Sequence, residues 1–97
     1  MSRIELAPEI GEDFERILDH LASHAAAHAA DRLVQIIEAI GVLATNPLIG
    51  RPAIHGKREL VIGRGSHGYL ALYRYVERID TVFVLAVRAQ REAGFAR

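Results

Sequence analysis

Three apolar segments with a period of two fill residues 57–95 and dictate most of what this chain can become. KRELVIG, GYLALYRYV and DTVFVLAVRAQRE are separated by two short breaks, Arg64-Gly65-Ser66-His67-Gly68 and Glu77-Arg78-Ile79-Asp80. In the first segment Leu60 and Ile62 alternate with Glu59 and Val61. In the second, Leu70, Leu72 and Val76 alternate with Tyr69, Ala71, Tyr73 and Tyr75. In the third, Phe83, Leu85 and Val87 alternate with Val82, Val84 and Ala86. Alternation in residues rich in Val, Ile, Tyr and Phe marks pleated strands. Connections this short join antiparallel neighbours, so the segment predicts a three-stranded meander.

The residues upstream read as a cover for one face of that sheet. Arg3-Ile4-Glu5-Leu6-Ala7 alternates and predicts a first strand. Pro8 suits a first helical position, and Glu9, Glu12 and Asp13 supply the negative charge a helix N-terminus favours. Ile10, Phe14, Ile17, Leu18 and Leu21 form one stripe of an amphipathic helix. A second stripe runs through Ala30, Leu33, Ile36 or Ile37, Ile40, Leu43 and Ala44. Leu18 and Ile37 are both expected under the sheet. One unbroken helix of this length is improbable in a chain of 97 residues, which predicts a helix hairpin turning near residues 23–26. Asn46-Pro47 ends the second helix, because the residue before a proline is pushed out of the α region. Residues 48–56 then read as a loop. The predicted fold is α+β: one domain over residues 1–97, with order β-α-α-β-β-β, a small curved and mainly antiparallel sheet, and the helix hairpin on one face.

Composition narrows the classes. The chain is 51% hydrophobic, enough for a globular core, and has no cysteine, which removes disulfides and thiolate zinc sites. The first fifteen residues hold no apolar leader-like run, and Val82–Val87 is too short to span a bilayer, so a cytoplasmic protein without a membrane segment is expected. Net charge is zero but unevenly spread. Residues 1–56 carry four basic and eight acidic side chains, 4 − 8 = −4, and residues 57–97 carry eight and four, 8 − 4 = +4. Such a field steers partners even in a neutral protein.

The order of elements, together with particular residues, resembles the RelE/ParE superfamily of toxins from bacterial type II toxin–antitoxin systems. The likeness rests on Pro8-Glu9, on Ala29-Ala30-Asp31-Arg32-Leu33, and on Asn46-Pro47-Leu48-Ile49-Gly50-Arg51-Pro52. It continues through Arg58-Glu59-Leu60 and Tyr69-Leu70-Ala71-Leu72-Tyr73-Arg74-Tyr75 to residues 87–95. The resemblance implies a cognate antitoxin as tight partner and no cofactor. In its ParE-like branch, whose members inhibit DNA gyrase, Arg88, Arg91 and Phe95 would be target contacts. In its RNA-cleaving branch, acting on the ribosome and mRNA, Arg58, Glu59, Arg74, Arg88 and Arg91 would be the catalytic set. The neutral charge and a tail without Tyr or His depart from that second branch, because phosphate binding favours basic proteins and proton transfer needs a titratable group. Glu59, His67, Tyr73 and Glu92 are the remaining titratable candidates. A non-toxic binding module retained through its antitoxin complex is a third reading.

Sheet patterning adds a physical expectation. The last strand is apolar on both sides, yet one helix hairpin covers only one face. Val82, Val84, Ala86 and Tyr73 are expected on the other face, where a dimer partner, a ligand, another chain such as an antitoxin, or the folded-back tail would cover them. Arg58, Arg74 and Arg88 lie on neighbouring strands and are expected to converge as an anion cluster. His20, His24 and His28 recur every four residues, but a turn near His24 breaks the geometry a metal needs, so no metal site is expected. Gly63, Gly65 and Gly68 lack the lysine and following helix of a phosphate loop.

Overall fold

The apolar stripe of the first helix needs a surface to close on, and the five-stranded sheet supplies it. The computed structural model describes residues 1–24, 26–65, 68–92, 94 and 95. Its elements are β1 (Arg3–Leu6), α1 (Ile10–His24), α2 (Ala29–Gly41), β2 (Arg51–Pro52), β3 (Arg58–Ile62), β4 (Tyr69–Val76) and β5 (Thr81–Ala89). The strands are ordered β1-β5-β4-β3-β2. β4 and β5 pair antiparallel over their whole lengths, and β1 joins the far side of β5 in parallel, Arg3 opposite Thr81 and Leu6 opposite Val84. This is the expected α+β fold. Of the expected turns, Ala25, Ser66 and His67 lie outside the described residues.

Boundaries differ from expectation in two places. α1 starts at Ile10 and not at Pro8, because residues 7–10 form a turn closed by the Ile10 amide on the Ala7 carbonyl (3.0 Å). Arg51–Pro52, expected as loop, is a two-residue edge strand opposite Arg58 and Glu59. Its proline removes a donor and blunts that edge of the sheet.

A β-bulge decides which residues reach the core. Tyr73 lies opposite Val84 and Leu72 opposite Ala86, leaving Leu85 as the extra residue. The bulge switches the phase of β5, so Val82 and Val84 before it and Val87 and Ala89 after it all face the helices. They meet Tyr69, Ala71, Tyr73 and Tyr75 of β4, Leu60 and Ile62 of β3, and Ile10, Ile17, Leu21, Ile36, Ile40 and Leu43 of the helical layer. This corrects the face assignment. Val82, Val84 and Tyr73, expected on an uncovered face, are fully buried beneath the hairpin. Ala86 does lie on the opposite face, beside Leu72, but it too is buried. On α2 the stripe passes through Ile36 and not Ile37, which is 51% exposed, and Leu18 is only half-buried.

β1 is too short to cover β5, and side chains complete the cover. The Ala7 amide makes the last backbone bond of that edge, to the Val84 carbonyl (2.9 Å). Beyond it the Val87 amide donates to Asp13 Oδ2 (3.0 Å), and the Val87 carbonyl accepts from Arg16 Nη2 (3.1 Å). The Ala89 amide donates to Glu92 Oε2 (2.6 Å). Arg16 joins the two acids, 2.9 Å from Asp13 Oδ1 and 2.8 Å from Glu92 Oε1. Burial pushes the Arg16 guanidinium down, but its hydrogen bonds to Asp13 and Glu92 outweigh that and hold it above its usual value.

Two outcomes follow. Asp13→Ala, which strands the Val87 amide and removes one of Arg16's two acidic partners, should destabilise the chain by about 2–4 kcal/mol in chemical denaturation. A loss below about 0.5 kcal/mol would contradict the role assigned to it. Ile36→Asp should abolish cooperative unfolding, whereas Ile37→Asp should melt within a few degrees of the parent. Equal damage from both would mean the α2 face is misassigned.

Candidate functional site

The sheet face turned away from the helices carries Val61 of β3, Leu70, Leu72 and Arg74 of β4, and Phe83, Ala86 and Arg88 of β5, as the register requires. Arg88 is its most constrained charge. One guanidinium nitrogen, Nη1, donates to the carbonyls of Ala89 (3.1 Å), Gln90 (3.4 Å) and Glu92 (2.7 Å). The plane lies 5.0 Å from the centre of the Phe95 ring, a cation–π contact. Nε is buried with no hydrogen-bond partner. Through these contacts the tail folds back over this face. The guanidinium thus keeps one donor unsatisfied, and that nitrogen is shielded from solvent.

The three strand arginines do not converge. Arg58 lies opposite Tyr73, hence on the helix side, and its Nη1 donates to the carbonyls of Leu48 (3.2 Å) and Gly50 (2.7 Å). The Gly50 amide in turn donates to the Tyr73 hydroxyl (2.9 Å), and a Cβ at Gly50 would sit 2.6 Å from the Tyr73 ring. Arg58 and Tyr73 therefore anchor the loop after α2. Arg74 is on the open face and donates to the His55 carbonyl (2.9 Å), holding a turn in which His55 has φ 57°. Along β4, Arg74 is four residues from Leu70, the partner of Arg88, which separates the two arginines by about 13 Å.

The candidate proton-transfer groups are engaged elsewhere. Glu59 pairs with Arg51 (3.2 Å), and Glu92 is held by Arg16 and the Ala89 amide. Tyr73 is buried. His67 lies outside the described residues. Arg91 does not join Arg88 and Phe95. Its Nη2 lies 3.2 Å from His20 Nε2, on the α1 side. His20 and His24 close α1 while His28 belongs to the turn before α2, and among the described residues no group of three or more His, Asp or Glu side chains is placed to hold a metal ion. Nor is any helix among them long and apolar enough to cross a membrane.

Asp13 and Arg16 carry the most structure and were not singled out from the sequence as a pair. Their signal is present: Asp13 falls on the apolar stripe between Ile10 and Ile17, a place for a carboxylate only if it is paired, and Arg16 follows three residues on.

Comparisons with known proteins identify the family. Residues 4–94 match the family model of the ParE toxin of the type II toxin–antitoxin system parDE. Toxin RelE3 of Caulobacter vibrioides is 31% identical over 93 residues, covering 95% of this chain and 98% of that protein. A chain of the chromosomal ParDE toxin–antitoxin system from P. aeruginosa superposes with a TM-score of 0.77 at 22% identity, over 92% of this chain and 96% of that one. A chain of the RelBE2 toxin–antitoxin complex from Mycobacterium tuberculosis gives 0.57 at 20% identity, over 92% and 98%. By sequence match and by fold, this chain belongs to the ParE toxin family of type II toxin–antitoxin systems.

Proposed function

We propose that this toxin acts by binding a protein target, DNA gyrase, without chemistry of its own, and that a cognate antitoxin neutralises it by covering the same open sheet face. One observation carries the reading: the carboxylates able to move a proton, Glu59 and Glu92, are committed to ion pairs, while Arg88 keeps a buried donor with nothing to bind. General acid–base catalysis requires a group within hydrogen-bond reach of the proton it moves, and charges spent on holding the fold are not available for that. Arg58 and Arg74, which a ribonuclease would bring to one phosphate, instead tie down loops on opposite faces. Zero net charge also suits a protein surface better than a ribosomal RNA surface. Arg88 and Phe95 are the contacts: an acidic side chain of the partner pairs with the guanidinium, and Phe95 packs against apolar surface beside it. The antitoxin reading draws on the relatives, whose structures are of toxin–antitoxin systems.

Purified toxin should inhibit gyrase supercoiling and leave translated mRNA intact. Arg88→Lys keeps the charge but not the fork, and should weaken inhibition about tenfold or more with the fold retained. Mapped cleavage of ribosome-bound message with supercoiling unaffected would overturn the proposal in favour of the ribonuclease reading. Inertness in both assays, with antitoxin binding intact, would favour the non-toxic module.

A further inference from the structure

The outer face of α2 is apolar where the core does not need it to be. Ile36 and Ile40 serve the core, and Leu33 is half-buried beside them. Around the helix from that side, Val34 and Ile37 are 52% and 51% exposed. Ala30 and Gly41, one turn before and one turn after them, are exposed as well. Nothing lies within 4 Å of the place a Cβ on Gly41 would take, so this end of the stripe is open. Ala30, Val34, Ile37 and Gly41 follow a four-three-four spacing, the alternation of inward positions in a helix that packs lengthwise against another. One exposed aliphatic residue needs no explanation, but an exposed seam with this spacing does.

The charges beside the seam decide what can lie on it. Asp31 and Glu38 directly follow Ala30 and Ile37, so both line the same flank, and both are exposed. The other flank is Leu33 and Ile40, turned toward the protein's own core. If two copies paired antiparallel, Val34 would meet Ile37 of the copy and Ala30 would meet its Gly41. Asp31 would then meet Glu38 of the copy at both ends of the contact, and like charges so placed oppose pairing. A parallel pairing would set the same acids against an apolar flank, which costs their hydration. The stripe is therefore helix-shaped, apolar and selective for cations along one side. The surrounding field has the same sign, since residues 1–56 carry eight acidic and four basic side chains.

We propose that this face of α2 docks an amphipathic helix of a partner protein, with a matching apolar seam and Lys or Arg on the flank that meets Asp31 and Glu38. Val34 and Ile37 supply the apolar contact, Ala30 and Gly41 let the two backbones approach at the ends, and the two acids select the partner. The surface lies on the helix side of the sheet, is independent of the gyrase reading and uses neither Arg88 nor Phe95.

The full chain can itself carry the basic flank in a test. A variant with Asp31→Lys and Glu38→Lys keeps the seam and reverses its charges, and it serves as the probe for the unaltered chain. Mixtures of the two are followed by sedimentation velocity and by NMR at the Val34 and Ile37 methyl groups. Each alone should show no concentration-dependent shift at those methyls up to about 0.1 mM, and the mixture should form a one-to-one complex with Kd of about 10–100 μM. Raising the salt to about 0.5 M should weaken that complex several-fold. Ile37→Asp in either chain should weaken it at least tenfold, and Val34→Asp is the second such variant, each checked for a retained thermal melt. A mixture that stays unpaired, or a complex that survives both substitutions unchanged, would overturn the proposal. Concentration-dependent shifts at these methyls in the unaltered chain alone would overturn it too, by making the face a contact between copies.

Discussion

The structure depends on how the exposed edge of β5 is closed. β1 pairs with only the first half of that strand, Thr81 to Val84. Past it, the amide and carbonyl of Val87 and the amide of Ala89 would face the buried flank of α1 with no strand to bond. Unmet backbone groups in such a place cost as much as the interactions that hold a small domain together. Asp13, Arg16 and Glu92 take the place of the missing strand, reading its donors and acceptors with side chains. The Leu85 bulge is part of the same solution, because it turns Val87 and Ala89 toward the core and toward α1.

This arrangement fixes more than an edge. Because Asp13 and Arg16 are one helical turn apart, α1 has one orientation on the sheet that serves both. Because Glu92 belongs to the tail, the chain after β5 is held close to the sheet, and this presents Arg88 to the carbonyls of residues 89, 90 and 92 and to Phe95. Charges that a sequence-based inventory counts as candidates for chemistry are thereby spent on architecture. The arginine left with an unsatisfied donor lies on the open face, and the tail partly shields it. A surface built this way is suited to recognition of another macromolecule.

Much of this was legible in the sequence. Period-two segments specified β3, β4 and β5, the 3.6-residue stripe specified α1, and their order carried the family. What escaped has physical reasons. Alternation in β5 predicts two regular faces, and a single bulged residue, Leu85, breaks that rule without any mark in the sequence, since it is neither glycine nor proline. Alternation also does not say which of its two faces the helices cover, and Val82, Val84 and Tyr73, expected on the uncovered one, are buried. Ile36 and Ile37 are adjacent and equally apolar, so helical periodicity alone did not decide between them. The convergence of Arg58, Arg74 and Arg88 failed because strand membership does not fix the face: Arg58 and Arg74 point to opposite sides of the sheet.

Native-state hydrogen exchange at the Val87 and Ala89 amides tests the central claim most directly. Neither amide has a strand partner on its side, so ordinary edge behaviour would give fast local exchange. If Asp13 and Glu92 close this edge, both amides should exchange only through global unfolding, with protection within about 1 kcal/mol of the stability of the whole domain. Exchange on the timescale of exposed loop amides would contradict the account.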